Sequence, residues 1–261
     1  MAEMTEPLLT YHADPQLKAA LLAELAKHEA ADQFVKGTYG RMNAHFRGCA
    51  IGCSLHSLNV ILGKPEQERT GDHSRYMTEL GWPLWLALLE DTVFEHLPED
   101  QAARWPRRLA EAVPVGVTIP DRVLATILRW TLADAIYGVR HATEDPDVRA
   151  VIDRMVALFD RSVAGAEPDQ REWAGAAGAA RAAGAAGAAG AAGAAGAAWA
   201  AWAAWDARAA WDARAARAAW AAWAAWATAI RSGFYPALAA YVLDQVQAVA
   251  VKGATDAAPP S

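Results

Sequence analysis

The chain has 261 residues, a formal charge of −6 at pH 7 from 24 Lys and Arg against 30 Asp and Glu, and two cysteines. A chain of this length can bury one large or two small cores, and its acidity argues against a phosphate backbone as the main partner. Residues 1–6 lack the basic start and apolar core of an export signal, so the expected compartment is the cytoplasm, where Cys49 and Cys53 stay reduced.

Helical grammar fills the first 163 residues. Asp14 can cap, Pro15 suits a first turn, and Leu17, Leu21, Leu22, Leu25 and Phe34 recur at helical spacing before Gly37, which predicts a helix over 14–36. The same pattern predicts helices over 53–62, 83–97, 99–113, 120–137 and 146–163, with Pro106 breaking or kinking the third. Nothing alternates with period two for long enough to read as a strand. Residues 115–119 come nearest, but they sit between prolines as a connector. The expected fold is all-α.

Ten prolines lie between Pro7 and Pro168 and none follows until Pro236, which permits a long helix. From Gly175 to Trp226 the triplet X-Ala-Ala holds for eighteen steps, X being Gly, Arg or Trp. On an α-helix each X steps back about 60°, so the row winds slowly round the axis. Trp199, Trp202, Trp205, Trp220, Trp223 and Trp226 then share about half of the circumference, with Trp211 on the other side. The glycines from Gly175 to Gly196 each cost about 1 kcal/mol against Ala, so the glycine half is a marginal, bent helix and the tryptophan half a good one. A threefold helix would align every X but needs neighbouring chains to satisfy its backbone. Neutral expansion of GC-rich codons would produce the same composition without a selected function.

The uncharged stretch 182–205 is long enough for a bilayer, but it is Ala and Gly rather than Leu, Ile, Phe and Val, which argues against a membrane span. The expected organisation is a helical domain over 1–170, the triplet helix over 171–231, a last helix over 232–253 and a disordered tail over 254–261.

His45, Cys49, Cys53 and His56 would lie on one side of a continuous helix. Eleven residues rise about 16 Å, whereas zinc holds its ligands about 2 Å away, so at most two or three adjacent members could share an ion. The candidate metal ligands are therefore Cys49, Cys53 and His56, completed from elsewhere by His73, beside Asp72, or by His28. His28-Glu29-Ala30-Ala31-Asp32 distantly echoes the zinc-hydrolase pattern His-Glu-x-x-His. Two other readings of the cysteines stand. Flanked by Gly48 and Gly52, they can be small apolar groups where two backbones approach, or Cys53 can be a nucleophile at a helix start with a His as base. The carboxylates of Glu90, Asp91, Glu99 and Asp100 read most simply as solvated faces and caps. No phosphate-cradling loop or nucleophile elbow is present.

The strings GCAIGC (48–53), DHSRYMTELGWP (72–83), LLEDTVFE (88–95) and VPVG (113–116), followed by an Ala-rich tail dotted with Trp and Arg, resemble an uncharacterised group of bacterial and phage proteins. The resemblance implies a helical N-terminal domain with a repetitive tail and brings no activity with it. The many glycines here depart from that group's usual Ala/Ser/Arg tail.

Two functions from different classes follow. In the first, a non-enzymatic cytoplasmic protein binds a second copy of itself, as a homo-oligomer, or a partner helix through the tryptophan stripe. In the second, a metal- or thiol-dependent hydrolase, with zinc as the expected metal, works through the Cys/His region. Four Arg over the whole tract are too thin for a nucleic-acid stacking platform.

Overall fold

The computed structural model describes residues 8–42, 45–66, 68, 70–186 and 233–256, which are predominantly α-helical. Asp14 opens α1, Pro15–Ala30, by accepting a hydrogen bond from Gln16 N at 2.7 Å. The helix does not continue to residue 36. Asp32 takes a left-handed φ of 50°, and the chain then straightens because its backbone finds new partners: Val35 N donates to Gly48 O at 2.8 Å and Gly48 N to Gln33 O at 3.1 Å. With Asp32 turned out of the helix, His28 and Asp32 share no helical face, and the echo of the zinc-hydrolase pattern fails.

Two short strands, β1 (Arg41–Met42) and β2 (Phe46–Arg47), pair antiparallel, although no period-two pattern announces them. Cys49 follows as an extended residue, with φ −69° and ψ −177°, and stands at the N-cap of α2, Ala50–Ile61. This helix starts three residues earlier than the spacing predicts. His45, Cys49, Cys53 and His56 consequently do not lie on one continuous helix.

The chain divides into two compact units, residues 1–119 with 239–261, and residues 120–238. In the first, α3 (Arg75–Leu80), α4 (Leu84–His96), α5 (Glu99–Ala102) and α6 (Trp105–Ala112) follow α2. The sequence reading does not anticipate α3, a six-residue helix in which Arg75 Nε pairs with Glu79 at 2.7 Å. Pro106, in the first turn of α6, splits the expected helix over 99–113 into two. Helices α2 and α4 pack together and are buried along most of their lengths. Leu55, Leu58, Leu86 and Leu89 are fully buried, each contributing roughly 1.5–3 kcal/mol of transfer free energy. Helix α1 covers α2 and α6 with Leu21 and Leu25. Residues 115–119 remain a connector, tied to Thr10 by its N–H to Val117 O and by Gly116 N to its carbonyl, both at 2.9 Å.

In the second unit, α7 (Asp121–Ala133), α8 (Pro146–Val163) and α9 (Gln170–Ala186) pack in sequence. Helix α7 ends short of the predicted Tyr137 because Asp134 Oδ1 accepts from Ile136 N and Tyr137 N, closing a turn. Helix α9 opens on a reciprocal capping box: Asp169 Oδ1 accepts from Glu172 N at 2.9 Å, and Glu172 Oε2 accepts from Asp169 N at 2.9 Å. The first triplets of the tract are thus packed helix, with Trp173, Ala176, Ala177 and Ala180 buried and Gly175 and Gly178 outside. Trp173 lies 5.0 Å from Phe159, centroid to centroid. The tryptophan half of the tract lies outside the described residues. The last helix, α10 (Phe234–Asp256), begins in this unit and from Ala239 belongs to the first. Among the described residues no helix is long and apolar enough to cross a membrane.

Candidate metal centre

The N-cap of α2, the C-terminal half of α4 and the residue before α3 bring a set of polar side chains together within the first unit. Asp91 and Glu95, four apart, share one face of α4. Cys49 Sγ, an Asp91 oxygen and a Glu95 oxygen all lie within 4.8 Å of one another. His73 joins them from just before α3, its Nε2 2.9 Å from Asp91 Oδ2. Asp72 accepts from Ser74 N at 3.0 Å, closing the turn that leads into α3.

The loop over residues 36–40 closes the set. Gly37 N donates to both Glu95 oxygens at 3.0 Å, Thr38 O accepts from Cys49 N at 2.7 Å, and Tyr39 Oη donates to Asp91 Oδ2 at 3.4 Å. Glycines seat this loop. A Cβ on Gly52 would lie 2.2 Å from the Tyr39 carbonyl oxygen, and one on Gly71 would lie 3.2 Å from the Tyr39 ring. The glycines beside the cysteines do therefore permit a close backbone approach, and the residue approaching is Tyr39.

Several groups here that can carry negative charge meet few cations. The Cys49 thiol is pushed well above its ordinary range by burial, and further by the charges of Asp91 and Glu95. Burial, then Asp91, also raises Glu95 against the opposing Gly37 hydrogen bond. Glu90, adjacent in α4 and 1% exposed, is pushed up to about 8 by burial with Asp91 adding to it, so it is neutral at pH 7. Asp91 Oδ1, His73 Nδ1 and Glu90 Oε2 are buried without a hydrogen-bond partner. Glu90 is thus not the solvated face that its sequence suggests.

Of the five residues expected to bind metal, Cys49 and His73 meet at Asp91. Cys53 does not join them. Its thiol lies 3.4 Å from Gly48 O and 3.7 Å from Gln33 O, and burial pushes it up to about 12, which keeps it protonated and weakly nucleophilic at neutral pH. His28 and His56 instead pair with each other, His56 Nδ1 standing 3.4 Å from His28 Nε2. The His56 ring stacks on Phe46 at 4.2 Å, and burial, then His56, lowers His28 to about 4.

Asp91, Glu95 and Tyr39 are the members that sequence reasoning missed. The signal available for two of them was an acidic pair at i, i+4 in the mostly apolar segment 84–97.

One thiol and two carboxylates suit a borderline divalent cation such as zinc or iron(II) better than magnesium. Zinc would hold a sulfur at about 2.3 Å and oxygens at 2.0–2.2 Å, so tetrahedral donors stand roughly 3.5 Å apart and these side chains would draw together by about 1 Å. No family model, no curated protein and no solved structure matches this chain.

Proposed function

We propose that this protein is a metal-dependent hydrolase whose centre is built from Cys49, Asp91 and Glu95. The observation that carries the reading is the convergence of these three donors within 4.8 Å of one another, next to a buried His73 that engages Asp91. Three protein donors leave a fourth position for water, which is the arrangement of catalytic rather than structural zinc sites. The thiolate and two carboxylates together carry −3, which a divalent cation reduces to −1, and a neutral Glu90 adds no further negative charge.

The residues divide the work. His73 donates through Nε2 to Asp91 Oδ2 and holds that carboxylate in one orientation, as outer partners of metal ligands do. Gly37 N fixes Glu95 in the same way. A bound cation lowers the pKa of its water and supplies a nucleophile near neutral pH. Tyr39, 37% exposed and in contact with Asp91, is the phenol placed to hydrogen-bond a substrate oxygen.

The test is metal analysis of the purified full-length chain, followed by cobalt(II) substitution. Near-stoichiometric metal is expected, and the cobalt form should show a sulfur-to-cobalt charge-transfer band that Cys49→Ser abolishes while Cys53→Ser retains it. Hydrolysis of activated esters and phosphoesters should follow metal content and stop with a chelator. Protein that neither retains nor takes up zinc, cobalt, iron or manganese overturns the reading. The tryptophan-rich segment, on which binding of a partner or a second copy would rest, lies outside the described residues.

A further inference from the structure

The other side of the loop that carries Gly37 lines a second feature, which the metal reading does not use. A pocket of about 340 Å³ is bounded by Val35, Lys36, Gly37, Thr38, Arg41 and Arg47. Three of the six are cations and none is a carboxylate, in a chain whose net charge is −6. Lys36 Nζ donates to Leu97 O at 2.5 Å and Arg47 Nη2 to Asp32 O at 3.1 Å. Both side chains are held by backbone carbonyls, and Lys36 also acts electrostatically on Glu95. Arg41 and Arg47 form no ion pair among the described residues.

The ribbon sharpens the point. Arg41 and Arg47 are direct cross-strand partners in the β1–β2 pair. Residues directly opposite in an antiparallel pair have their Cβ atoms about 4.5–5.5 Å apart on one face, and like charges there are unfavourable. The ribbon is held by other contacts, Phe46 stacking on His56 and Gly48 bonding to Gln33 and Val35, so the Arg41–Arg47 repulsion is outweighed rather than removed. An anion seated between the two guanidinium groups removes the repulsion and accepts from both forks.

We infer that this pocket binds the phosphoryl group of a small phosphorylated molecule, gripped by the Arg41–Arg47 pair with Lys36 in the same lining. The volume falls within the range of small-molecule sites, roughly 300–1,000 Å³, and a dianion matches three cations better than a carboxylate does. The chain's net charge of −6 disfavours a nucleic-acid strand. Gly37 opens its φ of +76° with nothing within 4 Å of a Cβ built there, so a ligand can approach the turn backbone from the open side. Occupancy needs no metal, although the loop that carries Gly37 serves both sites.

The experiment is calorimetric titration of the metal-stripped full-length protein with inorganic phosphate and phenyl phosphate, with acetate as control, alongside thermal melts. Wild type is expected to bind both phosphates and not acetate. Arg41→Ala, at an exposed position, should weaken phenyl phosphate binding at least tenfold. In phosphate-free buffer Arg41→Glu should melt above wild type, because the repulsion is gone, and phosphate should raise the melting temperature of wild type alone. Three results each overturn the proposal: no heat with either phosphate up to about 10 mM, equal binding by wild type and Arg41→Ala, or tighter binding of a single-stranded oligonucleotide than of phenyl phosphate. A protein that binds phosphate yet takes up no metal would sustain this inference and sink the hydrolase.

Discussion

The buried Glu90 makes the stability of this protein depend on pH in a way that can be worked out beforehand. In the fold its carboxyl titrates at about 8 against an ordinary 4.5, because burial, reinforced by Asp91, penalises the charged form. A group whose folded pKa is raised contributes stability that is complete below 4.5 and is lost as pH rises towards 8, at up to about 1.4 kcal/mol per pH unit. His28 works in the opposite sense. Its folded pKa of about 4 lies below the ordinary 6.5, so the fold gains stability as pH rises from 4 to 6.5. Between 4.5 and 6.5 the two slopes oppose each other. From 6.5 to 8 the His28 contribution is complete, while Glu90 by itself takes away about 2 kcal/mol. Urea unfolding followed by tryptophan fluorescence at half-unit pH steps measures this directly. Glu90→Gln keeps the shape and cannot ionise, so its stability should stay level from 6.5 to 8 while the wild type falls. Equal slopes for the two proteins across that window would refute the assignment.

Gly52→Ala places a methyl 2.2 Å from the Tyr39 carbonyl oxygen, a backbone atom that cannot rotate away, and should destabilise by about 3 kcal/mol in denaturant while weakening cobalt(II) binding. His73→Phe keeps the ring packing on Tyr39 but deletes the bond to Asp91, and metal affinity measured by chelator competition should drop about 10–100-fold. Gly178→Ala, at an exposed helical position with nothing within 4 Å of the new methyl, should stabilise α9 by about 1 kcal/mol, read from thermal melts.

Several helix boundaries were legible where a side chain closes its own helix, although the local Asp134 turn that ends α7 was missed. Asp14, Asp145 and Pro106 act within two or three residues of themselves, and the starts they set at α1, α8 and α6 follow from local chemistry. The end of α1 failed because the competing partner is distant. Nothing in residues 31–36 reveals that Gly48 will offer Val35 a carbonyl at 2.8 Å, and that bond, rather than Gly37, decides where the helical register is abandoned. The candidate site failed for a related reason. Glu90 and Asp91 look like surface carboxylates because charge is usually solvated, and only the packing of α2 against α4 makes one fully buried and turns the other towards Cys49.

The two cysteines show why spacing alone could not settle the chemistry. Four residues apart, they would sit one above the other on a continuous helix and form the nucleus of a shared site. Cys49, however, is the N-cap rather than a helical residue, and its ψ of −177° takes its side chain out of the row that Cys53 occupies. What fixes that conformation is Gly48, bridged to the chain at Gln33 and Val35 on one side, and Thr38 O on the other, which accepts the Cys49 N–H. One thiol is left against backbone carbonyls, where it fills space. The other faces two carboxylates, where a cation has something to bind. The chemistry of Cys49 is thus decided by the loop over residues 36–40, and the same loop presents Lys36 to the basic pocket, so a substitution that moves Tyr39 should disturb metal and phosphate binding together, whereas Arg41→Ala should disturb phosphate alone.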